Sequence, residues 1–247
     1  VLLLSCRAAH KSKVNMVRNK RWILSFIVLF FGVLPAWALA APTSAVRVLV
    51  HGDSLSAGYG LELGQEWPVL VQRQLQKSPF AGVRIVNSSI SGETTTGGLA
   101  RLPAVLAQER PSVVILALGA NDALQGQDLT QTQNNLQAMV ELAHKANAKV
   151  LLLASDIPPN YAARYNTQFQ QVFVDLAEKN RLPVVRFSVQ EFAKRPGFLQ
   201  KDALHPTALA QPIIAQRVWL ELQPLLKAQS KQRNKNSKNS KRDKKSA

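Results

Sequence analysis

SVVILALGAND, residues 112–122, decides the fold class. Its first seven residues, 112–118, form a nearly unbroken apolar run with β-branched side chains. A strand with one wet face alternates apolar and polar residues. A continuous run instead marks a strand buried on both faces, as in a parallel sheet covered by helices. The run stops at Gly119, and Ala120-Asn121-Asp122 follow at its carboxyl end.

The same alternation of short apolar runs and helical patterns extends outward in both directions. Upstream, the pattern predicts strands over 46–50 and 83–87 and helices over 67–76 and 99–108, with 91–98 as a Thr/Gly-rich loop. Downstream, it predicts helices over 129–146, 161–180 and 207–226 and strands over 149–154 and 183–187. The last helix tolerates Pro212 in its early part, and 156–160 is a loop interrupted by prolines. Strands alternating with helices give an α/β fold with a five-stranded parallel sheet covered on both faces. In such sheets function gathers at the carboxyl ends of the strands.

Charge is distributed unevenly. The chain has 31 Lys+Arg against 15 Asp+Glu, a net +16 and a pI near 10.4, which taken whole suggests a binder of nucleic acid or of a membrane surface. Yet 1–40 holds six basic residues and no acid, and 227–247 holds nine basic residues with only Asp243. The body, 41–226, is left with 16 basic and 14 acidic residues, and no nucleic-acid partner is expected of it. That length suits one domain with a full core. Cys6 is the only cysteine, which excludes an intrachain disulfide and a thiolate metal cluster.

The ends read as appendages. In 16–40, Arg18, Lys20 and Arg21 precede an apolar stretch, 22–34, and Ala38-Leu39-Ala40 fits a signal-peptidase site. The expectation is a signal peptide cut after Ala40 and a periplasmic or secreted product. Residues 1–15, ahead of Met16, read as a spurious upstream extension. The Lys/Asn/Ser-rich 227–247 reads as a disordered basic tail that aids solubility, with weak attachment to anionic envelope surfaces as the sharper alternative.

Four loops would meet at the carboxyl edge of the sheet: 52–58 after strand 1, 91–94 after strand 2, 119–122 after strand 3, and 202–206 before the last helix. Ser54 stands out because Gly52 and Gly58 bracket it at a strand end, where a sharp turn presents a side chain. Serine is scarcely ionised at neutral pH and needs a base. His205 has Asp202 three residues before it and Pro206 after it. An aspartate there can take the Nδ1 proton and leave Nε2 free as that base. The Ser54 backbone N–H, the Gly92 N–H and the Asn121 amide are candidate donors to an oxyanion. His51, the neighbour of this turn, and His144, on a helix, read as structural and surface histidines. Asp53 reads as bonding to its own loop, and Ser56 as an ordinary capping residue.

GDSLSAGYG at 52–60, ISGETT at 90–95, GAND at 119–122 and DALHP at 202–206 resemble four blocks, in order, of the SGNH (GDSL) hydrolase family. GLARLPAVL at 98–106, PPNY at 158–161 and HPTALAQPIIA at 205–215 resemble its periplasmic bacterial thioesterase, lysophospholipase and arylesterase subgroup. The resemblance covers about 46–226. It implies a flavodoxin-like three-layer α/β/α sandwich, a Ser54–His205–Asp202 triad, an oxyanion hole of Ser54, Gly92 and Asn121, and neither cofactor nor metal. It also implies an open site in which Leu124, Asp156 and Ile157 contact the acyl chain. The expected substrates are small acyl esters, thioesters or lysophospholipids, and the expected state is a monomer. Two departures stand out. Asp156-Ile157 replaces a usual Arg-Leu or Arg-Ile pair, which weakens the case for anionic substrates, and His51 occupies a position more often apolar.

Two other readings remain open at this stage. One keeps the triad and gives it acetyl esters of a glycan. The other is a non-catalytic flavodoxin-like binding protein, which would need its phosphate loop directly after strand 1.

Overall fold

A computed structural model describes residues 46–158 and 162–246, with side chains through Lys231. Five parallel strands, β1 (Arg47–Gly52), β2 (Arg84–Asn87), β3 (Val113–Ala117), β4 (Lys149–Ser155) and β5 (Val184–Phe187), pair in the order β2-β1-β3-β4-β5. This is the flavodoxin-like order. The helices are α1 (Ser54–Ala57), α2 (Trp67–Gln76), α3 (Thr95–Glu109), α4 (Ala120–Leu124), α5 (Leu129–Lys145), α6 (Ala163–Asn180), α7 (Val189–Ala193) and α8 (Gln211–Ser246).

The central strand shows why three layers form. All five residues of β3 are buried. Val113 and Ile115 pack in one core with Trp67, Val71 and Leu75 of α2 and Ile214, Val218 and Leu222 of α8. Val114 and Leu116 pack in a second core with Leu102 of α3, Met139 of α5 and Phe169 and Phe173 of α6. Successive strand residues point to opposite faces, so a run apolar at every position supplies both cores. Each large side chain buried this way contributes about 1.5–3 kcal/mol.

Some boundaries differ from the sequence reading, for local reasons. Helix α3 begins at Thr95, inside the segment read as a loop, with Thr94 capping it. Its Gly97 and Gly98 suggested a loop. Gly98 is instead a packing residue, since a Cβ there would overlap the Leu118 side chain. Helix α8 begins at Gln211 and not at 207, because Thr207 donates its N–H to the Phe198 carbonyl (2.9 Å). Pro212 therefore falls in the first turn of α8, where no N–H is needed. At its other end α8 runs on to Ser246, where the sequence reading placed a disordered tail. The segment past Pro224 has neither Gly nor Pro to interrupt a helical backbone. Residues 1–45, including the predicted signal peptide, lie outside the described residues. Among the described residues, no helix is long and apolar enough to cross a membrane.

From β1 the chain runs out to β2 on one side, then crosses over to β3 on the other side of β1. The crevice at the carboxyl ends of β1 and β3 is thus the topological switch point, where ligands bind in open sheets of this kind.

Candidate active site

The turn after β1 presents the first of the chemical groups. Asp53 caps α1 by accepting the Leu55 N–H at 3.0 Å, and the one-turn helix ends at Gly58 in the left-handed region (φ 83°). Ser54 is the first residue of this turn. Asp53 is buried, and that burial pushes its carboxyl up to about 7 against the pull of the Leu55 amide. Asp53 thus bonds to its own loop as expected. The cap is this residue and not Ser56, whose hydroxyl is buried without a hydrogen-bond partner.

The second group comes from the other end of the chain. Residues 198–207 form a small hairpin, closed by Thr207 N–H to Phe198 O (2.9 Å) and Gln200 N–H to His205 O (2.8 Å). Asp202 and His205 stand at its tip. One Asp202 oxygen accepts the backbone N–H groups of Leu204 and His205, each at 3.0 Å. The other lies 2.7 Å from His205 Nδ1. Slight burial works to raise the Asp202 carboxyl. The two amides and the imidazole outweigh it and hold the group below its ordinary value. With Nδ1–H donated to this carboxylate, His205 Nε2 is the acceptor, and the Ser54 hydroxyl lies 2.8 Å from it.

Gly92 (φ 80°) lies in the loop after β2, and Asn121 lies in the first turn of α4 after β3. The Asn121 amide donates to the Glu93 carbonyl at 2.9 Å, which joins the two loops. Behind them, the buried Asp122 accepts the Thr95 N–H (2.8 Å) and the Thr95 hydroxyl. Asn135 of α5 in turn donates to the Thr95 hydroxyl oxygen at 3.0 Å. Glu93 is also ion-paired to Arg101.

A shallow cleft with a cavity volume of about 10 Å³ opens between these parts, lined by Ser54, Asn121 and His205 and by the apolar Leu55, Leu124, Ile157, Val189 and Leu204. The structure therefore brings Leu124, Asp156 and Ile157 to the pocket. Ile157 is fully buried. The Asp156 carboxylate is occupied: it accepts the Ser188 hydroxyl (2.5 Å) and the Val189 N–H (2.6 Å) at the start of α7. Burial raises its pKa, and these bonds act against the rise. Beside the pocket, these bonds tie Asp156 to the start of α7 and hold Val189 in the pocket wall. A larger open groove, about 460 Å³, runs between α5 and α6 and holds none of Ser54, Asp202 or His205.

The two other described histidines, His51 and His144, behave as read. His144 is exposed on α5. His51 is buried, its Nε2 2.9 Å from the Gly98 carbonyl and its Nδ1 3.1 Å from the Ser88 hydroxyl. Burial lowers its pKa. Nε2 must carry the proton for Gly98, which makes Nδ1 an acceptor. Among the described residues no cluster of three or more His, Cys, Asp or Glu could hold a metal.

Sequence reasoning missed Tyr59, whose ring lies against that of His205 with centroids 4.5 Å apart, and Gln200 beneath it. It also missed Val189 and Leu204 in the pocket wall. The one available signal was position: Tyr59 lies within the turn motif, and Leu204 lies beside His205.

Comparison with known proteins agrees with this architecture. Residues 50–211 match the GDSL-like Lipase/Acylhydrolase family. The chain is 42% identical over 199 residues to Esterase TesA of Pseudomonas aeruginosa, covering 81% of this chain and 98% of that protein. It is 40% identical over 206 residues to Thioesterase 1/protease 1/lysophospholipase L1 of Escherichia coli K12, covering 83% and 94%. To the arylesterase of Vibrio mimicus it is 38% identical over 196 residues, covering 79% and 95%. Among solved structures, a crystal structure of TesA superposes with a TM-score of 0.69 at 43% identity, covering 72% of this chain and 99% of that one. The esterase EstA from Pseudoalteromonas sp., inhibited by monoethylphosphonate, superposes with a TM-score of 0.67 at 37% identity, covering 73% and 98%. With its sheet order, its four loops and these relatives in agreement, the chain belongs to the GDSL-like lipase/acylhydrolase family.

Proposed function

We propose that this chain hydrolyses carboxylic esters and thioesters of fatty acids through an acyl intermediate on Ser54. The observation that carries the reading is the continuous relay Asp202–His205–Ser54, with contacts of 2.7 and 2.8 Å, opening on a largely apolar pocket. Ser54 Oγ attacks the acyl carbon as its proton passes to His205 Nε2. Asp202 holds the imidazole in the required tautomer and stabilises the imidazolium. The tetrahedral oxyanion takes hydrogen bonds from the Ser54 and Gly92 N–H groups and from the Asn121 amide. His205 returns the proton to the leaving alkoxide or thiolate as the carbon–oxygen or carbon–sulfur bond breaks. Water then attacks the acyl-serine by the same steps in reverse, releases the carboxylic acid and restores the Ser54 hydroxyl. The side chains supply every proton movement, so the scheme needs no cofactor.

The relatives' names fit this range, since they include an esterase, a thioesterase/lysophospholipase and an arylesterase. A periplasmic or secreted location rests on the sequence of 16–40. In the test, Ser54→Ala loses both p-nitrophenyl ester cleavage and labelling by a fluorophosphonate, with its thermal midpoint unchanged. Retention of either activity overturns the assignment.

A further inference from the structure

The Gln200 side chain helps fasten the hairpin that carries His205 to the turn that carries Ser54. Gln200 donates its side-chain amide to the Tyr59 carbonyl at 2.8 Å and to the Pro206 carbonyl at 3.2 Å. An amide nitrogen has two hydrogens, so both bonds form together. Its own backbone N–H holds the His205 carbonyl at 2.8 Å. On the other side, Tyr59 donates its N–H to the Ser54 carbonyl at 3.2 Å and sets its ring against the His205 imidazole. These contacts close a ring of bonds that runs from Ser54 through Tyr59 and Gln200 to His205. The ring is completed by the 2.8 Å contact between Ser54 Oγ and His205 Nε2.

We propose that Gln200 is a positioning residue for the general base, setting the reach of His205 Nε2 to the Ser54 hydroxyl by tying Pro206 to Tyr59. The proposal rests on the roles given to Ser54 and His205 above. Gly60 is its counterpart: a Cβ at that position would overlap the Gln200 amide. The left-handed backbone at Gly60 (φ 71°) favours glycine as well. A glutamine is suited to the task because two carbonyl oxygens face it. A carboxylate of the same shape would offer no hydrogen and would be repelled by both.

The test uses the full chain with Gln200→Glu, which keeps size and loses the donor, and Gln200→Met, which keeps length and loses polarity. Both are expected to lower kcat on p-nitrophenyl butyrate by about tenfold to a hundredfold, the cost of a misplaced reacting group. KM should change less than kcat, the rate of fluorophosphonate labelling should fall by the same factor as kcat, and the thermal midpoint should hold. A purely structural glutamine would lower the thermal midpoint and leave the kcat of the folded fraction alone. His205→Ala, run beside these, separates the two levels. If it stays active, the triad reading fails. If it is inactive while both Gln200 variants keep wild-type kcat, or lose activity only in step with a lower midpoint, the positioning role is overturned.

Discussion

Asn121 donates its side-chain amide to the carbonyl of Glu93 at 2.9 Å, so the loops after β2 and β3 are joined by a residue that also faces Ser54 across the pocket. One amide hydrogen is committed to Glu93, and the proposed oxyanion contact would use the other. Asn121→Ala is therefore expected to lower kcat by about 10²–10³, the effect of removing one such donor. Asn121→Asp should do no better despite its shape. Steady-state kinetics on a soluble aryl ester would measure both, with KM changing little.

Asp122 supports the same loop from behind. Asp122→Ala would leave the Thr95 N–H and hydroxyl without their acceptor in a buried place. The expected loss of stability is about 1–3 kcal/mol for such stranded groups. Asp122→Asn keeps one acceptor oxygen and should lose less. Urea unfolding of the three proteins gives the comparison, and equal midpoints would refute it.

The pH dependence of stability follows from Asp53. Its carboxyl is raised from 3.8 to about 7 in the folded state, chiefly by burial. Over that interval the folded chain binds the proton that the unfolded chain has released, so stability falls as pH rises from about 4 to 7. His51 acts in the opposite sense. Burial lowers its pKa below 6.5, so below that pH the unfolded chain binds the extra proton and stability falls with acidification. Asp53→Asn keeps an acceptor for Leu55 and removes only the first effect. Wild-type minus variant stability should decline steadily across this window and level off above it. A flat difference curve would contradict the raised pKa.

Pocket length should control acyl preference. Leu124, half-buried at the end of α4, lines the wall beside Ile157 and Val189. Leu124→Trp is expected to lower kcat/KM for long acyl chains by about tenfold or more while sparing short ones. The measurement is a p-nitrophenyl series from acetyl to palmitoyl. A wild type active on acetyl esters alone would favour the glycan reading over the fatty-acyl one.

Much of this was legible in the sequence because it is local. A short, nearly unbroken apolar run rich in β-branched residues marks a strand buried on both faces, which is why 112–118 predicted β3 and the cover on both its faces. Ser54, and Asp202 with His205, each stand in a short stretch whose spacing carries its chemistry. What could not be read depends on distance along the chain. Gln200 meets Tyr59 across 141 positions, and no periodicity marks such a pair. Asp156 appeared as a charge facing substrate. Its capping of α7 depends on Ser188 and Val189, which β5 brings alongside. Helix α3 was shortened because a glycine needed for packing against Leu118 carries the same letter as one that ends a helix.

The hairpin separates the relay into a local part and a remote one. Asp202 and His205 are three positions apart, whereas Ser54 and His205 are 151 apart. During refolding, the acid–base pair can form as soon as its hairpin closes, on the microsecond scale of such events. The nucleophile joins it only after the long stretch between them has wound through most of the sheet, and contacts of that separation form late. Recovery of turnover after dilution from denaturant therefore reports the last long-range closure of the fold, and it should lag behind the return of helical signal.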